Sequence, residues 1–260
     1  MRLQLPAGPL AIAHRGGAGL PANAGIENSL QAVAHAVDLG YRYIETDVQA
    51  SADGVAFVLH DADLQRVAGR AVSVEGLTAA DLRAITLSGG ESIPTLADLL
   101  EEFDGLRFNI DLKSDAVVNP AVRTLRAAGA GGRVVLAAFS HRRLVRARRL
   151  LPGVATSASP REIAALRFGR LPLAARAGAV AFQVPIHTTV RGRRVRIVTD
   201  SFIARAHARG QQVHVWTIDD AATMHELFER GVDGIVADRI DVLREVLIER
   251  GVWPAPGEWS

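Results

Sequence analysis

Apolar and polar positions along the chain follow two alternating spacings. Short apolar runs recur near 10–14, 42–48, 55–60, 107–112, 133–138, 153–157, 179–184, 212–217 and 233–237. Between them, apolar residues tend to fall three and four apart, the spacing of a half-buried helix, near 27–38, 95–104, 119–128, 141–150, 160–167, 200–209, 221–230 and 239–250. Gly40, Gly129, Gly210 and Gly231 stand just past helix ends, where a left-handed stop favours glycine. Repeated strand-then-helix order predicts a parallel sheet with helices outside it.

The strand runs exceed those of an eight-stranded barrel by one. The turn Ser51-Ala52-Asp53-Gly54 joins 42–48 to 55–60, and Asp-Gly favours a hairpin. The run 55–60 is therefore read as an antiparallel partner of the second strand. The other eight fit an α/β fold, a (β/α)8 TIM barrel, whose usual size is about 250 residues. The whole chain, 1–260, is read as one such domain, with a small insertion at 62–106 above the barrel mouth. Thr78–Leu82 and Ile93–Leu96 look like helix starts within that insertion, and Pro254–Gly257 reads as an irregular end.

A 48% apolar share supplies an ample core. No apolar run reaches the roughly 20 residues that span a bilayer. Met1–Pro6 lacks a signal-peptide pattern, so the expected location is cytoplasmic. The absence of cysteine excludes disulfides and thiolate metal sites. The net charge is only +2, and aromatics are 5%, so nucleic acid is not an expected partner. Two arginine clusters stand out: Arg142, Arg143, Arg146, Arg148 and Arg149 on a helix, and Arg191, Arg193, Arg194 and Arg196 in a loop. Each is either solvated surface or an attraction for an anionic substrate or membrane surface.

Several apolar runs end in groups that can do chemistry. His14, Arg15 and the Gly16-Gly17 turn close the first, Glu45 and Asp47 lie in the second, and His60-Asp61 follow the third. A barrel presents catalytic groups at such strand ends. Glu45 and Asp47 are two apart, so on a strand they share a face, roughly 7 Å apart at the backbone. Two carboxylates there can share one divalent cation, and two nearby histidines can handle protons. Lys113 is the one lysine among 30 basic residues. A lone lysine at that strand end marks a place where a compact ammonium is wanted.

Together these residues resemble the glycerophosphodiester phosphodiesterase family. Ala13-His14-Arg15-Gly16-Gly17 is similar to its His-Arg-Gly opening, Glu27-Asn28-Ser29 to its Glu-Asn-Thr motif, and Glu45-Thr46-Asp47-Val48 to its Glu-Thr-Asp-Val strand. His60-Asp61 resembles its His-Asp pair, Asp111-Leu112-Lys113 its Glu-x-Lys strand, and Val215-Trp216-Thr217 its Trp-Thr strand. Gly231–Arg239 is similar to its closing segment. The resemblance implies a TIM barrel, Glu45, Asp47 and Asp111 as ligands of Ca²⁺ or Mg²⁺, and His14 with His60 as the acid/base pair. Two departures stand out: Asp111 replaces the family's longer Glu, and Ala22–Ile26 look like additional residues before Glu27.

The implied reaction is metal-dependent hydrolysis of a glycerophosphodiester to sn-glycerol 3-phosphate and an alcohol. Attack by the substrate's own hydroxyl, giving a cyclic phosphate as in lysophospholipase- or phospholipase-like relatives, is the alternative within the fold. A non-catalytic phosphate-binding protein would not need two histidines beside the carboxylates. Gly17 and Gly19 lack the third glycine of a dinucleotide-binding loop. A metal-dependent amidohydrolase would want His-x-His after the first strand, and a Schiff-base aldolase using Lys113 would not need Glu45 and Asp47 together. Asn28 is either a site ligand or a helix cap, Trp216 packs either substrate or core, and Gln183, Phe139 and Ser140 end strands and either face the mouth or belong to the surrounding structure. His35, His141, His187, His207, His214 and His225 are read as surface or core residues.

Overall fold

The computed structural model describes residues 3, 5–169 and 178–253. The irregular end expected at 254–257 lies outside these residues. Eight parallel strands build the barrel: β1 (Leu10–His14), β2 (Tyr43–Ala50), β3 (Arg107–Leu112), β4 (Val134–Ala137), β5 (Ala155–Thr156), β6 (Ala181–Val184), β7 (Gln212–Val215) and β8 (Gly234–Ala237). They pair in the order β5-β4-β3-β2-β1-β8-β7-β6. A parallel bridge between Ser157 and Ala181 closes the ring. The hydrogen bonds Val180 N–H to Thr156 O and Ala158 N–H to Ala181 O, each 2.9 Å, seal that seam.

The outer layer of helices is α1 (Leu30–Asp38), α2 (Leu96–Glu102), α3 (Val118–Ala127), α4 (His141–Leu150), α5 (Pro160–Arg167), α6 (Asp200–His207), α7 (Ala221–Glu229) and α8 (Ile240–Glu249), at least one after each strand. Most start on a side-chain cap. Ser29, Thr95, Ser140, Ser159, Thr199 and Asp220 each accept a first-turn backbone N–H, which offsets the unpaired amides of a helix start. The apolar helix faces and the outward faces of the strands form one buried cluster that includes Val33, Ile44, Leu99, Phe108, Leu144, Phe202 and Leu243. A second cluster, Leu3, Leu10, Ile12, Tyr43, Val135, Ala155 and Val236, fills the barrel interior. That is the packed centre expected when inward side chains from neighbouring strands stack in layers.

The hairpin read at Ser51–Gly54 is present. Ala56–Val58 pairs antiparallel with the end of β2, Val48 facing Val58. The stretch expected as an insertion, 62–106, divides in two. Residues 57–93 pack their own small core from Phe57, Leu59, Leu64, Val67, Val74, Leu82, Ile85, Leu87 and Ile93. Leu96, Leu99 and Leu100 of α2 instead join the main core, so α2 is the second helix of the barrel. The capping segment is accordingly shorter than the sequence pattern suggested.

Candidate active site

His14, Arg15, Glu45, Asp47, Asp111 and Lys113 lie together at the C-terminal mouth of the barrel, on β1, β2 and β3, with Asp238 reaching in from the end of β8. The register sets His14 beside Glu45, and Asp47 beside Asp111. After β1 the chain reverses through Arg15, Gly16 and Gly17, with φ of 52°, 80° and 91°. A Cβ on Gly17 would lie 2.4 Å from Ile240 Cδ1, at a φ that side chains rarely adopt. This turn brings the Arg15 amide to Glu45 O at 2.9 Å and aims the guanidinium back across β2.

His14 is held by a hydrogen bond at one ring nitrogen and faces a carboxylate at the other. Its Nδ1 lies 2.6 Å from Asp238 Oδ1, and its Nε2 lies 3.6 Å from Glu45 Oε2. The backbone N–H of Asp238 donates in turn to Asp219 Oδ1 at 2.8 Å. Burial acts against an imidazolium at His14, but Glu45 and Asp238 outweigh it and raise its pKa above the ordinary histidine value. His60 lies just beyond the short hairpin strand. The Leu59 N–H bonds Asp47 O at 2.9 Å, Gln49 Nε2 bonds His60 O at 3.1 Å, and the His60 ring pairs through Nδ1 with Asp61 at 2.6 Å.

A chain of charges joins the loops that follow β1 and β2. Arg66, from the capping segment, donates to Asp61 Oδ2 at 2.7 Å and forks onto Glu27 at 2.6 and 2.7 Å. Glu27 also accepts from Arg15 Nη1 at 3.0 Å. Burial would raise the Glu27 carboxyl, but Arg66 and Arg15 hold it below the usual carboxylate range. Arg15 Nε lies 3.2 Å from Asp47 Oδ2 without hydrogen-bond geometry.

The acidic side chains are buried and share protein cations. Lys113 Nζ lies 3.2 Å from Asp47 Oδ1 and 3.1 Å from Asp111 Oδ2. Burial opposes the charged ammonium of Lys113, yet Asp47 and Asp111 outweigh it and raise its pKa. Burial pushes Glu45 up to about 8, with Asp47 adding to the effect and His14 opposing it. Burial also raises Asp111, partly offset by Lys113. Glu45, Asp47 and Asp111 share the mouth, but among the described residues no three His, Asp or Glu side chains converge into a ready metal-holding group. Lys113 sits between Asp47 and Asp111, and Arg15 lies against Asp47.

The remaining candidates sort by contact. Asn28 is buried at φ 64°, donating to Asp47 Oδ2 at 3.2 Å and accepting from Thr46 Oγ1 at 2.7 Å. It braces an acidic side chain, and the cap of α1 is Ser29. Gln183 is buried, with Nε2 3.4 Å from His214 Nδ1, so it forms part of the inner wall. Trp216 is half-buried against the interior cluster, and its indole meets Phe139 edge-on at 5.9 Å. Phe139 is 65% exposed, with Lys113 Nζ 5.8 Å from its ring centre, whereas Ser140 caps α4. The residues that sequence reasoning passed over are Asp238, Arg66 and the site role of Glu27. Asp238 carried a usable signal, since it too is a charge ending an apolar strand. Arg66 carried none, because its partners are 5 and 39 residues away.

Comparison with known proteins supports the family resemblance. A protein of Mycobacterium tuberculosis assigned as glycerophosphodiester phosphodiesterase 2 is 42% identical over 252 residues, 95% of this chain and 93% of that protein. A crystal structure from Silicibacter pomeroyi, assigned as a glycerophosphoryl diester phosphodiesterase, superposes with a TM-score of 0.78 at 26% identity, covering 97% of each chain. A phosphodiesterase of Oleispira antarctica in complex with the product sn-glycerol-3-phosphate has the same fold, at a TM-score of 0.76 and 22% identity over 93% of this chain and 97% of that one. The model of the glycerophosphoryl diester phosphodiesterase family matches residues 14–242, which include both histidines, the acidic side chains and Asp238, and the chain belongs to that family.

Proposed function

We propose that the protein hydrolyses glycerophosphodiesters to sn-glycerol 3-phosphate and an alcohol at the mouth formed by β1, β2, β3 and β8. The observation that carries this reading is His14, fixed through Nδ1 by Asp238 and set beside Glu45. A ring held in one orientation beside buried acids is what proton transfer needs. His60, oriented by Asp61, is the second proton-transfer group. One ring accepts the proton of the attacking water and the other protonates the departing alkoxide. Arg15 and Lys113 bind the phosphate, the first with a planar fork and the second with a point charge. Asn28 keeps Asp47 oriented, and Trp216, packed on Phe139, contacts the substrate together with Gln183 of the inner wall.

The donor set fits a hard divalent cation. It is all oxygen, Asp111 Oδ1 is buried with no hydrogen-bond partner, and burial raises both Glu45 and Asp111, a state that a cation relieves. Glu45, Asp47 and Asp111 are the residues that would hold Ca²⁺ or Mg²⁺. Bound there, such an ion would supply positive charge to the phosphate oxygens.

A panel of glycerophosphodiesters and lysophospholipids, assayed after chelation and again after adding Ca²⁺ or Mg²⁺, tests the reading. The expected result is loss of turnover with chelator, recovery with cation, and loss of at least a hundredfold in H14A and H60A. Undiminished turnover in either variant overturns the assigned roles. Phosphorus NMR identifies the nucleophile, since a cyclic phosphate would make it the substrate's own hydroxyl.

A further inference from the structure

In an eight-stranded ring, β2 and β6 lie on opposite sides. The capping segment rises from β2. After β6 the chain forms a two-stranded hairpin, His187–Val190 paired with Arg193–Arg196, on the facing side of the mouth. Its two-residue loop, Arg191 and Gly192, has φ of 49° and 75°, the sign pattern of a tight hairpin turn. The root is anchored. Ile197 N–H bonds Ile186 O at 2.8 Å, Arg196 bonds Val198 O at 2.9 Å and Glu226 at 3.1 Å, and Arg167 bonds Arg196 O at 3.1 Å.

The tip has no such ties. Val190 is 41% exposed, and Arg191, Arg193 and Arg194 are exposed. Among the described residues, neither Arg191 nor Arg193 has a carboxylate partner, and Arg194 meets only His187, at 3.2 Å. The second arginine cluster behaves differently. On α4, Arg143 pairs with Asp115, Arg146 bonds Asp115 O, and Arg148 pairs with Glu162. Arg143, Arg146 and Arg148 thus brace α4, whereas Arg191, Arg193 and Arg194 at the hairpin tip face water. The same mouth exposes Phe139.

We propose that this hairpin tip docks the barrel mouth on an anionic lipid surface, with Arg191, Arg193 and Arg194 over the headgroups and Val190 at the interface. Clustered cations beside exposed apolar side chains are the chemistry that such a surface attracts. The hairpin cations form no phosphate pocket of their own, and they stand on the wall facing the capping segment. Docking goes beyond the proposed reaction and is read without it.

The test is co-sedimentation of the full chain with phosphatidylcholine vesicles, with and without phosphatidylglycerol. Binding is expected only to the anionic vesicles, and is expected to disappear as added salt screens the charges. R191A/R193A should lower the partition on the order of thirtyfold, R191E/R193E should abolish it, and V190S should weaken it. Turnover of a water-soluble glycerophosphodiester should not change in these variants. Failure of the wild-type chain to bind anionic vesicles at low salt overturns the proposal, as does a double variant that binds equally well. A raised KM for the soluble substrate with unchanged vesicle binding also overturns it, because the hairpin would then steer substrate.

Discussion

Asp238 Oδ1 lies 2.6 Å from His14 Nδ1, although 224 residues separate the two in sequence. Asp219 fixes the Asp238 backbone from the next loop, so the ring's orientation depends on β7, β8 and β1 together. Asp238→Asn keeps the shape and removes the charge. Turnover should fall about 100- to 1000-fold with KM little changed. The limb of the pH–rate profile that reports His14 should move to lower pH, because one of the carboxylates raising it is gone. A rate loss with an unmoved profile would make Asp238 merely structural.

Arg66 ties the capping segment to both ends of the charge chain, through Glu27 and Asp61. Arg66→Met should lower kcat by about tenfold or more by releasing the partner of His60. Arg66→Lys should recover only part of it, since an ammonium cannot fork onto Glu27 while holding Asp61. Arg66 is half exposed, so the melting temperature should change little. A large thermal shift with normal kcat would rule out the positioning role.

His214 is fully buried between Gln183 and Gln212, and burial pushes its pKa down to about 4. Between about pH 6.5 and 4 the unfolded chain therefore binds a proton that the folded chain refuses. This contribution to stability is full above that window and is lost as pH falls through it, by about 3 kcal/mol in all. Urea unfolding across pH 4–7 should show the slope, and His214→Asn should flatten it. An equal slope in the variant would exclude His214 as its source.

Gly17→Ala places a methyl 2.4 Å from Ile240 Cδ1 at a backbone φ of 91°. The clash and the left-handed strain together should cost about 2–3 kcal/mol. Calorimetry reads this as a melting point lowered by roughly 5–10 °C, with turnover reduced because His14 and Arg15 flank the turn. Gly69→Ala meets nothing within 4 Å at φ 67° and should cost only about 1 kcal/mol. Equal losses in the two variants would show that strain alone accounts for the effect.

The sequence by itself determined the barrel, the hairpin on its second strand and the rim positions of His14, Glu45, Asp47, Asp111 and Lys113. Strand periodicity and strand ends are local properties, dictated by which side chains a strand must bury and where it stops. Only the tertiary structure decided how those groups are partnered. It placed Asp238 on His14, Arg66 between Glu27 and Asp61, and Lys113 between two carboxylates that the motif alone suggested for a metal. It also separated arginines that brace α4 from Arg191 and Arg193, which among the described residues meet no carboxylate, a distinction composition cannot carry. The physical reason is that charges in a closed barrel find partners through space, across a seam joining the first strand to the last. A spacing rule along the chain has no means of counting those contacts.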